Sequence, residues 1–232
     1  MNSLVEASKI IPFSSEPDPV KYRYYYDNKT FPHPDGLTLF TTLLKFRPKR
    51  IIEVGSGFSS ALMLDTNEAF LDRSVKFTFI EPNPDISLTR LLRKEDYKNA
   101  DVRQSFVQDV DLSLYESLEE NDILFIDNSH VSKTGSDVNF LMTEVVPILK
   151  KGVLVHIHDI FYPFEYPKEW LLDLRINWNE IYMVHNFLLF NDYFEMVFFG
   201  DYMRQKMKAQ SSNAVPLFFK ERPGSLWIRK VK

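Results

Sequence analysis

Two hydrophobic periods alternate along this chain from Lys49 onward. Arg50–Val54 and Lys76–Glu81 read as strands, Val102–Val107 as a weaker one. Asp122–Asp127 and Gly152–His158 are strands with continuously apolar centres, which suits burial on both faces. Between them the spacing becomes helical, over Ser59–Phe70, Asp85–Arg93, Leu112–Leu118 and Ser136–Leu149. The last carries Val138, Leu141, Met142, Val145, Val146 and Leu149 on one face. Strand and helix in this rhythm predict an α/β fold, a doubly wound, mostly parallel sheet with helices on both faces. The final third predicts one long helix, Lys168–Phe190, with Trp170, Leu171, Leu174, Trp178, Ile181 and Tyr182 on its stripe. Strands Phe194–Phe199 and Ser225–Val231 follow, with a short helix over Tyr202–Ala209 between them.

Residues 1–34 show neither period. Pro12, Pro17, Pro19, Pro32 and Pro34 remove backbone donors, so this stretch reads as an irregular arm rather than a central strand. Asp35 is placed to cap a helix over Gly36–Phe46, with Leu39, Phe40, Leu43 and Leu44 at helical spacing. Residues 1–48 are thus expected to form an arm and cap helix on the substrate side, and 49–232 the main domain.

Composition narrows the class. A chain of 232 residues, 44% hydrophobic and 26% charged, suits one soluble domain with a full core. The net charge of -4, without a long basic run, argues against a nucleic-acid partner. There is no Cys, which excludes disulfides and thiolate metal sites. No apolar run reaches the ~20 residues of a membrane span. The N-terminal stretch lacks the basic head and apolar core of a signal peptide. A cytoplasmic protein without a membrane partner is expected. Tyr22, Tyr24, Tyr25 and Tyr26 in the arm are compatible with a dimer, and the oligomeric state is otherwise open.

In an open parallel sheet the ligand lies beyond the carboxyl ends of the strands. The first strand runs into Glu53, then the turn Gly55-Ser56-Gly57, where two glycines allow close backbone approach to a ligand. Ser59 or Ser60 caps the next helix, whose first N–H groups face the same space. The second strand ends at Glu81, at the distance past a glycine turn where an acid accepts both hydroxyls of a ribose. Gln108-Asp109 follows the third strand, and Asp109 is placed to take the exocyclic amine of adenine. Asp127, Asn128 and His130 follow the fourth; His156, His158 and Asp159 end the fifth. His156 and His158 share a face, His156 deeper and core-like, and His33 and His185 read as structural.

These stretches resemble the class I S-adenosylmethionine-dependent methyltransferase family. IIEVGSGFSS is similar to its first motif, FIEP to the second, VQDV to the third and DILFIDNSH to the fourth. The pattern FIDxxH, a helix, then HxHD resembles a bacterial subgroup associated with small-molecule and sugar methylation. The resemblance spans about Lys49 to Val231. It implies a Rossmann-like seven-stranded sheet with the last strand antiparallel. It further implies that Glu53 and the turn Gly55, Ser56, Gly57 hold the methionine part, Glu81 the ribose and Asp109 the adenine, with Asp127 near the sulfonium and its amino group. Ser59 replaces the third small residue of the glycine motif. Four acids also suit a cationic ligand better than a pyrophosphate, which they would repel.

The expected chemistry is transfer of a methyl group to a small-molecule acceptor, with a hydroxyl of a sugar or other metabolite favoured by the resemblance. His158 and His130 are the candidate bases, because neutral imidazole titrates near working pH, and Asp159 is the candidate orienting carboxylate. As strand neighbours, His158 and Asp159 should point apart. A second mechanism has Mg²⁺ held by Asp127, Asp159 and a nearby His or Asn128, activating two acceptor hydroxyls; it is the less favoured one. Two other readings stay open: a nicotinamide-dependent oxidoreductase on a similar sheet, and a non-catalytic S-adenosylmethionine-binding subunit.

Overall fold

The computed structural model describes residues 1–232 apart from the side chain of Gln210. Seven strands form one sheet: β1 (Arg50–Val54), β2 (Lys76–Ile80), β3 (Ala100–Arg103), β4 (Ile123–Ile126), β5 (Leu154–Ile157), β6 (Phe194–Phe199) and β7 (Leu226–Lys230), in the order β3-β2-β1-β4-β5-β7-β6. The first five run parallel; β7 is antiparallel to both β5 and β6. The order reverses between β1 and β4, which opens a crevice at their carboxyl ends.

Side-chain alternation divides the core into two layers. Ile51, Phe77, Phe79, Ile123, Phe125, Leu154 and Trp227 face helices α1 (Asn2–Ile10), α2 (His33–Phe46) and α3 (Phe58–Phe70). Ile52, Val54, Ile80, Leu124, Ile126, Val155, Ile157 and Ile228 face the opposite layer. That layer holds α5 (Leu112–Glu116), α6 (Asp137–Phe140) and α8 (Glu180–Leu188). Between these come the short α4 (Leu88–Leu91) and α7 (Lys168–Leu172); α9 (Gly200–Ser211) precedes β7.

The arm is more ordered than its prolines suggested. Residues 2–10 form α1, and Phe13, Tyr24, Tyr26 and Phe31 are buried in the first layer. The arm is docked by an ion cluster: the Arg23 guanidinium donates to Asp65 of α3 (2.5 Å), Glu68 (2.7 Å) and Asp96 (2.7 Å), while the Arg23 and Tyr24 amides donate to the other Asp65 oxygen. Asp35 does not cap a helix. α2 begins at His33, and the buried Asp35 carboxylate accepts from the Gly224 and Ser225 amides and the Ser225 hydroxyl, joining α2 to the start of β7.

The predicted helix Lys168–Phe190 is broken. Residues 173–179 leave the helix, Arg175 takes a left-handed φ of 56°, and the Asn179 and Glu180 amides donate to the His130 carbonyl. A tertiary partner replaces the intrahelical one, and Leu172 and Leu174 face solvent. Only Leu88–Leu91 of the predicted helix Asp85–Arg93 is helical. The stretch after Ser136 is helical throughout, but α6 passes into a wide turn over Leu141–Val145 and a tight one over Val146–Ile148, where Pro147 supplies no N–H.

Candidate functional site

Three clefts meet at the carboxyl ends of β1, β4 and β5, and Asp127 lines all three. The first, about 400 Å³, lies over the ends of β1 and β2 against the turn at Val107–Asp109. The second, about 280 Å³, lies over the glycine turn and under Thr30 and Phe31 of the arm. These two also share Gly55 and Glu81, so they form one trough. The third, about 480 Å³, lies beyond β5 and is walled by Phe161, Trp170 and Trp178.

The glycine turn is built for close approach. Gly55 has φ +75°, and a Cβ there would lie 1.7 Å from the Asp127 carbonyl oxygen. Gly57 has open space in the same test. Ser56 and Ser59 line the trough, and the Ser56 hydroxyl is buried without a partner. The Glu81 carboxylate is half-buried; it accepts from the Asn83 amide (2.8 Å) and faces the Ser56 amide at 3.4 Å.

Three expected cofactor residues stand elsewhere. Glu53 is wholly buried beneath the turn, where its carboxylate accepts from the Ser59 (2.5 Å) and Ser60 hydroxyls. It lines no cleft, and instead ties β1 to the start of α3. Burial pushes its pKa up to about 8, against the lowering effect of the two serines. Ser60 is buried with it and accepts from the Gly57 amide (3.1 Å), so neither reaches the trough. Asp109 is exposed and outside the cleft, because β3 ends at Arg103 and 107–109 form a tight turn in place of a strand end. Gln108 lines the cleft instead. Its amide nitrogen donates to the Gly135 carbonyl (2.8 Å), and its amide oxygen is buried and unpartnered. That free acceptor can receive the exocyclic amine that Asp109 was expected to take.

The third cleft gathers His130, His158 and Asp159 with Asp127. Asp159 has φ +56°, which ends the strand and turns its carboxylate toward its neighbour; His158 Nε2 stands 3.7 Å from Asp159 Oδ1. Strand neighbours would have pointed apart. Burial raises the Asp159 pKa to about 6, moderated by His158 and His130. His158 is buried, which by itself would lower its pKa, but Asp159, Asp127 and Asp35 outweigh that and raise it. His158 Nδ1 lies 3.3 Å from His156 Nε2. His156 stacks on Phe125 (centroids 3.9 Å apart) and is kept neutral by burial and by His158, so it accepts from the His158 Nδ1–H.

His130 has a carboxylate at each ring nitrogen. Nδ1 lies 2.8 Å from Glu180 Oε2, and Nε2 lies 3.3 Å from Asp127 Oδ1 and 3.8 Å from Asp159 Oδ2. Carboxylates only accept, so both nitrogens are donors and the ring is an imidazolium. Burial alone would lower its pKa, but Asp127 and Glu180 outweigh it and raise it to about 10. This corrects the expectation that His130 serves as a base. Burial would raise Asp127, yet His158 and His130 hold its pKa below the ordinary value. Sequence alone gave no site role to Glu180, Gln108 or Asp35. The one available signal was an acid, Glu180, directly before the apolar Ile181 in a predicted helix stripe.

Among the described residues no group of three or more His, Asp and Glu is arranged to hold a metal ion. His130 and His158 stand between the acids as their counter-charges, so the Mg²⁺ arrangement with Asp127, Asp159 and Asn128 does not fit. No helix among the described residues is long and apolar enough to cross a membrane.

Comparison with known proteins bears on the family and the fold. Residues 52–160 match a family described as a methyltransferase domain. An uncharacterized protein of Archaeoglobus fulgidus is 42% identical over 102 residues, 44% of this chain and 45% of that protein, so the match spans less than half of the relative's length. Among solved structures, the SAH-bound Podospora anserina methyltransferase PaMTH1 aligns with TM-score 0.54 at 16% identity, over 100% of this chain and 89% of that one. An O-methyltransferase from Bacillus cereus in complex with SAH aligns with TM-score 0.52 at 13% identity, over 100% and 91%. Both share the fold.

Proposed function

From residues 52–160 in a methyltransferase-domain family and the fold of the class I S-adenosylmethionine-dependent methyltransferases, we propose that this protein transfers the methyl group of S-adenosylmethionine to a hydroxyl of a small-molecule acceptor. The observation that carries the reading is Asp127, the residue common to the bipartite trough and the separate aromatic-walled cleft. A cofactor in the trough and an acceptor in the third cleft would meet beside it.

The trough residues fit the cofactor. Glu81 accepts from a ribose, Gln108 Oε1 from an adenine amine, and the Ser56 hydroxyl and the Gly55–Gly57 backbone face the amino-acid end. The Asp127 carboxylate offsets the ligand's positive charge. When bound, S-adenosylmethionine supplies a methyl group on a sulfonium that leaves as a neutral thioether.

The chain's own task is to align the acceptor oxygen and remove its proton. Asp159 takes that proton. It faces the acceptor cleft, and a pKa of about 6 keeps it ionised at neutral pH yet basic enough to share a proton. His158 lies against it and is fixed from behind by His156. Trp170, Trp178 and Phe161 supply flat apolar walls for a ring, and Arg222, held by Asp201, closes one side.

Calorimetric titration with S-adenosylhomocysteine tests the reading, with NAD⁺ as control and Glu81→Ala alongside. Micromolar binding, lost in Glu81→Ala and absent for NAD⁺, supports it and justifies an acceptor screen by S-adenosylhomocysteine release. No binding removes it; binding of NAD⁺ instead favours the oxidoreductase.

A further inference from the structure

Glu180 lies 50 residues from His130 in sequence, in the first turn of α8, and is 1% exposed. Neither of its oxygens is free. Oε1 accepts from Asn128 Nδ2 (2.9 Å) and Oε2 from His130 Nδ1 (2.8 Å). Its backbone amide donates to the His130 carbonyl (3.1 Å), and Asn128 Oδ1 accepts from the His130 amide (2.9 Å). His130 itself sits at a left-handed φ of 57°, with its ring over Trp178 (centroids 4.1 Å apart). Backbone, ring face and Nδ1 are therefore all held from α8 and the segment before it. Only the Nε2–H is left, and it points between Asp127, on the cofactor side, and Asp159, on the acceptor side.

A buried acid with this many partners costs several kcal/mol to desolvate, so its retention in the core calls for a reason. Glu180 lines none of the three clefts and touches no ligand space. Its influence passes through His130. Resting on the methyltransferase reading, we infer that Glu180 is a positioning residue: through His130 it presents a fixed N–H donor to the acceptor oxygen where the cofactor and acceptor clefts meet.

Such a donor stabilises negative charge as the acceptor loses its proton to Asp159. The charged groups facing the ring are Glu180 from α8, Asp127 after β4, and Asp159 and His158 after β5. The neutral faces are Asn128 and Trp178. Of these, Glu180 alone is directed at Nδ1. Without its charge, the ring can drop a proton from Nδ1 and become an ordinary titrating histidine.

The test uses the full chain with ¹⁵N-labelled histidine rings. Ring signals are followed from pH 6 to 10.5 in wild type and Glu180→Gln, each with and without S-adenosylhomocysteine. Gln keeps the size and an acceptor oxygen but loses the charge. The expected wild-type His130 signal is that of a ring protonated on both nitrogens up to at least pH 8.5. In Glu180→Gln its titration moves down by about one pH unit or more, while S-adenosylhomocysteine affinity changes less than about threefold. A wild-type His130 that titrates near the usual 6.5 overturns the inference without recourse to the variant. So does a Glu180→Gln variant with an unshifted ring. Failure of wild type to bind S-adenosylhomocysteine is a separate readout and removes the methyltransferase reading itself.

Discussion

Gly55 and Asp127 are in backbone contact across neighbouring strands: a Cβ on Gly55 would meet the Asp127 carbonyl oxygen at 1.7 Å. The glycine turn and the residue common to all three clefts thus depend on one missing side chain. Gly55→Ala should cost roughly 2–4 kcal/mol, from overpacking and from the φ of +75° together, and should abolish S-adenosylhomocysteine binding. Gly57→Ala has room and should change stability by less than about 1 kcal/mol. Urea unfolding of both variants checks the contrast; equal losses would sink it.

Gln108, rather than Asp109, should control adenine recognition. Gln108→Ala should weaken S-adenosylhomocysteine about tenfold, the usual worth of one hydrogen bond at the upper end. Asp109→Ala, at an exposed position, should leave affinity within about twofold. Calorimetry of the two variants decides it, and the reverse order would restore Asp109.

Glu53 makes stability fall with rising pH. Its folded pKa of about 8 lies above the ordinary 4.5, so between those values the folded state holds a proton that the unfolded chain has released. Stability from this group is complete below pH 4.5 and is lost as pH rises through 8, with a slope approaching ~1.4 kcal/mol per pH unit. Glu53→Gln should flatten that part of the profile in urea titrations from pH 5 to 8.5. An unchanged slope would refute the assignment.

If Asp159 is the proposed proton acceptor, the reaction should show an acid limb. With a pKa of about 6, the rate on whichever acceptor the screen returns should fall about tenfold per unit below pH 6 and level off above it. Asp159→Asn should lower kcat by roughly 10²–10⁴ while S-adenosylhomocysteine affinity stays within about threefold. A variant with near-normal kcat would move the proton acceptor to His158.

Arg23 fastens the arm over the site. Removing it in Arg23→Met leaves Asp65 and Asp96 buried without their cation, which should cost roughly 3–5 kcal/mol. Thr30 and Phe31 of the same arm cover the trough proposed for the cofactor, so S-adenosylhomocysteine affinity should fall as well. Denaturation and calorimetry on one preparation measure both effects. Full stability in the variant would show that the cluster is not what docks the arm.

Local sequence determined the sheet and the outline of the site. Hydrophobic spacing placed six of the seven strands, β1 and β6 to the residue, and it was plainest for β4 and β5, where burial on both faces needs a continuous apolar run; β3, at the sheet edge, lay two residues earlier than its spacing suggested. The positions of the glycine turn, Glu81, Asp127, His158 and Asp159 along the clefts were legible because strand ends point at the crevice whatever lies around them. Tertiary structure decided what each polar group does. A left-handed φ at Asp159 turned it toward His158, and one at His130 brought its ring between three carboxylates, so a presumed base became a fixed cation. Glu180 reached His130 only because the long apolar stripe broke over residues 173–179, so that the Asn179 and Glu180 amides found the His130 carbonyl instead of their own helix. Hydrophobic spacing is a property of neighbours in the chain, whereas protonation and hydrogen-bond partners are set by groups that folding brings from 50 residues away.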